Sequence, residues 1–507
     1  MLQPTRHKIA IIGTGISGLS AAWALNKTKQ YEVHLYEASD RLGGHTNTVA
    51  FPHKGREVMV DAGFAVLNDA TYPNFLSLLD HLGIKTEPTE MSFSITSSIA
   101  SCSSWSTVSL LSLFAHQQNL TSLSFWRMLF DILRFNLFSP DLLTVTDEDE
   151  QNITLGDYLD REGYSEKFRR DCILPIAIAW NGSPGVRSAL RIPAVSLVRF
   201  MRNQNMLRGI WGEETTCLTL KGGAKSYIDV LIHGIPKWKI HLSTPVKEVG
   251  TREDGKPYLK IIEEEAGECE FQYVYDHIII ATPGDEALRL LGSGATVKEK
   301  EILSAFKTTK NKVVLHSDLD HMPALKSTWA AWNYLTTTSA RTGGIDKVEL
   351  TYNLNILHHL RRSAFGDVLA TLNPITEPAK KSTQGVYQYH VLVNTQASLA
   401  ARKRIEMEIQ NKRGISFAGA WLGWGSHEDG CASGLKAAER LGVMMPWGDG
   451  KVIDSNTVGT PTHPQKMDWI MGLVRMVVWV LSVWVSVVEG LVEGIHDVRK
   501  QTGNGGE

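Results

Sequence analysis

The sequence predicts an α/β protein with a Rossmann-like nucleotide-binding unit at its N-terminal end. Three observations carry this prediction: an apolar, β-branched burst over Lys8 to Ile12, the turn Gly13-Thr-Gly15-Ile-Ser-Gly18 directly behind it, and an acid, Glu37, closing a second apolar stretch about 20 residues past the glycines. At 507 residues the chain is too long for one compact core, so two domains with appendages are expected. Its 43% hydrophobic and 21% charged residues exclude a disordered or fibrous chain. A formal charge of −2, without any run of Lys and Arg, excludes nucleic acid as a partner. The five cysteines, Cys102, Cys172, Cys217, Cys269 and Cys431, lack the paired spacing of a zinc or redox site, and no metal is expected. The short polar start, Met1 to Lys8, runs straight into the glycine turn; this argues against a cleaved signal peptide and for a cytosolic catalytic part.

Within the nucleotide unit, Lys8 to Ile12 reads as a strand, the glycines as a tight turn, and Leu19 to Leu25 as a helix. Gly13 permits the turn, Gly15 lets backbone approach a pyrophosphate, and Gly18 allows close packing of helix on strand; the anion sits at the helix N-terminus, beside Ser17. Tyr31 to Tyr36 forms the second strand, and Glu37 at its end is placed to accept hydrogen bonds from ribose hydroxyls.

The continuation Glu37-Ala-Ser-Asp-Arg41-Leu-Gly43-Gly44-His45 resembles the ExxxRxGG pattern of the FAD-dependent amine oxidase, protoporphyrinogen oxidase and phytoene desaturase superfamily. The resemblance implies FAD as cofactor, with Arg41, Gly43 and Gly44 supporting its pyrophosphate and His45 among the cofactor-binding residues. Val60-Asp61-Ala-Gly63-Phe64 resembles a second flavin-contacting strand and turn, implicating Gly63 and Phe64. Thr244 to Val249 resembles the strand whose backbone, at Val246, meets the adenine, and His277 to Pro283 the strand that returns to the flavin at Thr282. Ser416 to Ala438, with Gly419, Glu428, Asp429 and Gly430, resembles the C-terminal strand and flavin-directed helix. Ala420 departs from the pattern: many relatives place Glu or Asp there, so one usual ribityl or pyrophosphate contact is absent.

The resemblance thus implies an α/β fold with a Rossmann-like FAD-binding domain of the glutathione reductase type, assembled from discontinuous segments, with an inserted α+β substrate domain and a C-terminal hydrophobic helix. The expected boundaries are 1–70, 220–285 and 410–448 for the FAD-binding domain and 71–219 and 286–409 for the substrate-binding domain. A linker is expected over 449–465 and a membrane-associated helix over 466–498. Further motifs, among them Thr71 to Phe75, Trp332-Asn333-Tyr334 and His427 to Gly430, are similar to a less characterised branch of predicted NAD/FAD-binding oxidoreductases.

In the first insertion, Trp105 to Leu143 has helical spacing and few charges, which suits ordinary helix packing or an apolar tunnel with a membrane-facing mouth. For catalysis, flavin chemistry needs no acid–base dyad from the protein. Amine oxidases hold a water near the flavin with a strand lysine, and Asn311-Lys312-Val-Val-Leu315 matches that strand in pattern. Lys312 is therefore the first candidate, with a lysine capping a strand edge as the alternative. His427 and Glu428 are candidates for orienting substrate or oxygen, or else for capping a helix. The expected function is an FAD-dependent oxidoreductase that removes hydride from a hydrophobic, lipid-like substrate, its flavin reoxidised by oxygen or another acceptor. The alternatives are an amine oxidase with an aromatic cage drawn from Trp332, Tyr334, Trp421 and Trp424, a redox-neutral double-bond isomerase, and a non-catalytic lipid-binding protein. A homodimer is compatible with the sequence.

Beyond a Thr- and Pro-rich stretch ending at Pro464, Trp469 to Val488 is almost wholly apolar. On a helix, Asp468, Arg475, Ser482, Ser486, Glu489 and Glu493 fall on one narrow stripe, and the opposite side is Val, Leu, Ile, Met and Trp. Trp469, Trp479 and Trp484 suit a membrane interface, so a C-terminal anchor helix is expected, with the catalytic domain facing the cytosol.

Overall fold

The computed structural model describes residues 6–63, 66–97, 103–145, 152–182, 185–204, 206–207, 216–263, 269–338, 344–454, 469, 472–485 and 487–488. The chain opens with β1 (His7–Ile12), α1 (Ile16–Asn26) and β2 (Tyr31–Tyr36), and then forms α2 (Pro73–Leu82). Strands β3 (Phe93–Ser97) and β4 (Ser103–Ser106) precede α3 (Leu123–Phe138), α4 (Leu174–Asn181) and α5 (Ala194–Asn203). The chain continues through β5 (Ile240–His241), β6 (Val246–Thr251) and β7 (His277–Ile280). Next come β8 (Lys307–His316), β9 (Trp332–Thr338), β10 (Ile345–Asn353), β11 (Leu369–Leu372) and β12 (Thr383–Val393). The order closes with α6 (Gln396–Glu408), β13 (Ile415–Phe417) and α7 (His427–Glu439).

A parallel sheet is assembled from distant segments, in the order β5-β2-β1-β7-β13. Ile12 at the end of β1 stands opposite Tyr36 of β2 and Ile280 of β7. Successive side chains of a strand point to opposite faces. Ile9, Ile11 and Ile279 accordingly enter one apolar core, and Ala10, Ile12, Ile278 and Ile280 enter another. Burial on both faces explains why these strands are near-continuous apolar runs, as parallel strands covered on two sides must be.

Helices α1 and α7 pack into the first of these cores with no side chain between them at their closest point. A Cβ on Gly434 would collide with the carbonyl oxygen of Ser17, and one on Gly18 with that of Gly13. The Ser20 hydroxyl donates to the Cys431 carbonyl across the same seam at 3.2 Å.

A second, seven-stranded sheet runs β12-β8-β11-β10-β9-β3-β4 and is antiparallel except for the parallel pair β9–β3. Apolar side chains of α3, α4 and α5, such as Phe135, Ile176 and Leu197, join Leu315, Tyr334 and Leu350 of this sheet in one core. Trp105 and most of the apolar residues of α3 are therefore packed. Leu110, Leu111, Leu123 and Trp126 remain exposed at the near end of the same insertion.

In the tail, residues 472–485 are helical. Arg475 forms an ion pair with Asp141, and its guanidinium lies 4.7 Å from the centre of the Phe138 ring. Ser482 and Arg475 of the expected polar stripe face the protein body, whereas Trp479 and Trp484 are 60% and 65% exposed. Among the described residues no helix is long and apolar enough to cross a membrane. Residues 455–465 of the expected linker, and 489–498 of the expected helix, lie outside the described residues.

The α1–α7 seam yields a test. Gly434→Val forces a branched side chain into a contact that already excludes a methyl group, at a cost of about 1–3 kcal/mol or more. The expected outcome is a melting temperature lowered by several degrees, or insoluble protein, read by differential scanning calorimetry.

Candidate active site

The glycine turn closes on β1 with Gly13 at φ +96°, where a Cβ would lie 2.7 Å from the Ala281 carbonyl oxygen. Gly15 differs from its neighbours. It sits in an ordinary extended conformation as the N-cap of α1, and a Cβ built on it meets no protein atom within 4 Å. The protein itself does not require glycine at that position; the open space is what a bound phosphate would use. No side chain caps α1, so its first backbone N–H groups and the positive end of its dipole are directed at that space. Gly43 donates its N–H to the Thr14 carbonyl at 3.0 Å, and a Cβ on Gly44 would approach Gly15 Cα at 3.1 Å. The paired glycines thus form the second wall of the same cradle, and a dinucleotide pyrophosphate fits there.

Glu37 accepts from Thr14 N at 2.9 Å and Thr14 Oγ1 at 2.6 Å through one oxygen, and from Ser39 N at 2.9 Å through the other. The carboxylate is thereby fixed beside the turn, where a ribose is expected. The Arg41 guanidinium donates to the carbonyls of Leu42, Gly44 and Thr46, at 3.3, 2.8 and 3.1 Å. It braces the glycine loop through these carbonyls rather than pointing its charge at the cradle. Val246 opens β6 just after Thr244, whose N–H donates to the Glu37 carbonyl at 2.8 Å. Thr282 follows β7, and its methyl lies against Gly13; Gly419 donates its N–H to Ser433 Oγ at 2.9 Å. Gly63 packs on the His45 carbonyl so closely that a Cβ would collide with it. Gly430 faces Ile16 and Ser17 where α7 starts, which sets the N-termini of α1 and α7 side by side. Phe64 lies outside the described residues.

Of the two roles expected for the polar residues that open α7, the contacts of Glu428 match helix capping. Buried Glu428 accepts from Asn74 N at 3.1 Å, Asn74 Nδ2 at 2.6 Å and Phe75 N at 2.9 Å. It caps the first turn of α2, and burial raises its carboxyl to about 7. Asp429 forms a capping box with Ser426 and also accepts from Trp424 N at 3.0 Å. Both acids take part in holding helix ends. His427 lies 3.0 Å from Tyr227 Oη, which is 2.5 Å from Thr46 Oγ1, and its ring stands edge-on to Phe75. Burial, with His45 nearby, holds it neutral down to about 3, so it works as a positioning group rather than an acid.

Lys312 is likewise corrected. Its Nζ is 2.7 Å from both carboxylate oxygens of Glu377, on the face of β8 opposite to Asn311 and Val313. Asn311 and Val313 line a cavity of about 220 Å³ that lies against the seven-stranded sheet. Alternation along the strand makes the two assignments exclusive, and Asn311 takes the inward place. Its Oδ1 accepts from Asn373 at 2.6 Å, and its buried Nδ2 has no hydrogen-bond partner among the described residues.

Trp180, Phe200, Trp332, Tyr334, Tyr352 and Tyr389 supply the aromatic wall of the cavity, and His45 and Asp61 add polar atoms. Burial lowers His45, which stacks on Tyr389 with ring centres 5.3 Å apart. Asp61 accepts from Ala224 N at 3.0 Å. Of the four residues expected to form a cage, Trp332 and Tyr334 do line the cavity. Trp421 packs on Phe306 in the core instead, and Trp424 lies beside two arginines. Tyr352, Tyr389 and Asn311 were not anticipated; the strict alternation of β8 was the signal available for Asn311.

The flavin containing amine oxidoreductase family matches residues 16–309, more than half of the chain, and the chain belongs to that family of FAD-dependent oxidoreductases. FAD is its cofactor, and the cradle at Gly15 suits it. The structure is similar to a putrescine oxidase solved with putrescine, at a TM-score of 0.60 and 14% identity, covering 86% of this chain and 99% of that one. It is also similar to a fatty acid isomerase from P. acnes, at a TM-score of 0.55 and 15% identity, covering 86% and 98%. At such identities the likeness shows the fold. A local match to an L-amino acid oxidase of Cerastes cerastes, 46% identical over 56 residues, spans 11% of this chain and 11% of that relative.

Two predictions follow from the geometry. Gly15→Val fills the open cradle without touching protein, so purified protein keeps its far-UV circular dichroism but loses the bound yellow cofactor; Glu37→Ala weakens FAD binding less severely, as read by titration of apoprotein. Lys312→Met leaves the flavin spectrum and the rate of flavin reduction unchanged, whereas Asn311→Leu alters both in stopped-flow spectrophotometry.

Proposed function

We propose that the protein is an FAD-dependent oxidoreductase that removes hydride from an uncharged carbon of a hydrophobic, lipid-like substrate. The observation that carries this reading is the cavity, walled by Trp332, Tyr334, Tyr352, Leu350 and Leu372 with no lysine among its lining residues. Bound FAD supplies the two-electron acceptor. The protein's part is to desolvate and orient: the aromatic wall excludes water, and the Asn311 amide is a fixed donor beside the reacting segment. At about 220 Å³ the space is below the 300–1,000 Å³ usual for drug-sized ligands, which suits one segment of a longer chain.

Membrane association belongs to the same reading. The tail helix turns Arg475 and Ser482 inward and leaves Trp469, Trp479 and Trp484 outward, and Leu110, Leu111 and Leu123 are exposed as well. Such a helix lies in the interface plane rather than spanning it, and a lipid substrate would enter from the bilayer. Amine oxidation is the second reading, favoured by the aromatic residues around the cavity, which would also desolvate a neutral amine.

Anaerobic titration of the yellow protein distinguishes the two. Bleaching of the visible flavin bands by fatty acyl or isoprenoid compounds is expected; bleaching by amines alone would replace the first reading with the second. Full-length protein is expected in the membrane fraction and a chain ending at Thr460 in the soluble one. If both stay soluble without detergent, the membrane association is wrong.

A further inference from the structure

Trp424, in the loop that leads into α7, lies beside two arginines brought from different elements. Arg199 of α5 and Arg402 of α6 place their guanidinium carbons 5.3 and 5.5 Å from the centre of its indole ring. Arg199 is 3% exposed. Arg402 donates to the Trp421 carbonyl at 3.0 Å and to Asn394 Oδ1 at 2.7 Å, and its Nη1 is buried with no acceptor among the described residues. The Trp424 Nε1 donor is in the same condition. Among the described residues, the carboxylate that acts on both guanidiniums is Asp429, and its Oδ2 already serves Trp424 N, Ser426 N and Ser426 Oγ. Burial lowers both guanidiniums to about 10. Arg402 Nη1 and Trp424 Nε1, two buried donors without an acceptor among the described residues, stand beside a carboxylate whose Oδ2 is already committed, and so leave a place for one further acceptor.

The cluster adjoins the substrate cavity. Phe200, next to Arg199, and Trp180 both line the cavity and stack with ring centres 5.0 Å apart. Asn181 accepts from Asn394 N at 2.9 Å, and Asn394 in turn holds Arg402. The cationic cluster is thus connected to the cavity wall by two routes, through Asn394 and Asn181 next to Trp180, and through Phe200 next to Arg199.

We propose that Arg402 and Trp424, with Arg199 beside them, form a carboxylate subsite, so that the substrate is a hydrophobic monocarboxylate whose chain lies in the cavity and whose carboxylate is held by Arg402 Nη1 and Trp424 Nε1. This rests on the apolar-substrate reading above and narrows it. A planar guanidinium and an indole N–H suit the two oxygens of a carboxylate, and charge-assisted bonds in a dry site are the strong ones.

The test uses the FAD-loaded full chain and calorimetric titration with decanoate and with 1-decanol, which shares the chain and lacks the charge. Decanoate is expected to bind roughly tenfold or more tightly than decanol. Arg402→Met is expected to remove that preference and leave decanol binding as it was. Trp424→Phe, which keeps the ring and removes the donor, is expected to reduce the preference in part, and it serves as the folded control should Arg402→Met prove insoluble. Equal binding of the two probes to the unaltered protein overturns the subsite and leaves the apolar reading standing; binding of neither removes both. If Arg402→Met lowers FAD content or shifts the flavin midpoint potential while decanoate affinity is unchanged, the cluster balances charge on the cofactor and the subsite is wrong.

Discussion

Where α1 and α7 cross, Gly434 rests on the carbonyl of Ser17 and Gly18 on that of Gly13, so two helix backbones and a strand end meet with no side chain between them. This contact depends on α1 and α7 both leaving the carboxyl end of the parallel strands, and it sets the N-termini of both helices at one place. Two aligned helix dipoles there give the protein a fixed partial positive charge without a lysine or arginine in the cradle. The open space over Gly15, the brace from Arg41 and the carboxylate of Glu37 are arranged around that point.

Several groups that resemble catalytic residues are occupied by this construction. Glu428 ties α7 to α2, Asp429 ties α7 to the loop before it, and His427 ties it through Tyr227 to the loop at Thr46. Glu428 commits both of its oxygens to N–H groups at the start of α2, and a histidine held neutral by burial down to about 3 cannot act as an acid at ordinary pH. These residues set where the end of α7 lies, and the chemistry is left to the cofactor and to the chamber in front of it.

That chamber is selective through its surface. Its aromatic and aliphatic wall contains a single buried amide donor without a partner among the described residues, from Asn311, and ion-paired Lys312 is excluded from it by one residue of strand alternation. At the tail helix Arg475 pairs with Asp141, while Trp484 stays largely exposed.

The nucleotide half of the molecule was legible in the sequence because its constraints are local. A strand of β-branched residues, glycines at fixed offsets and an acid at the end of the next strand specify a turn whose geometry is set within a few dozen residues, and Gly13, Gly15, Gly18 and Glu37 stand where that pattern requires. The return strand at His277 was found through its resemblance to the family's strand, and it forms where that resemblance put it. The substrate half was not, because its surface is built from side chains far apart in the chain. Whether Asn311 or Lys312 faces inward depends on which side of β8 the helices cover. Whether Glu428 meets a ligand or the end of α2 depends on a contact across 354 residues. Local sequence determines which elements form and where a phosphate can approach the backbone; only the packing of distant elements decides which faces of those elements become the site, because burial and hydrogen-bond satisfaction are properties of the assembled core.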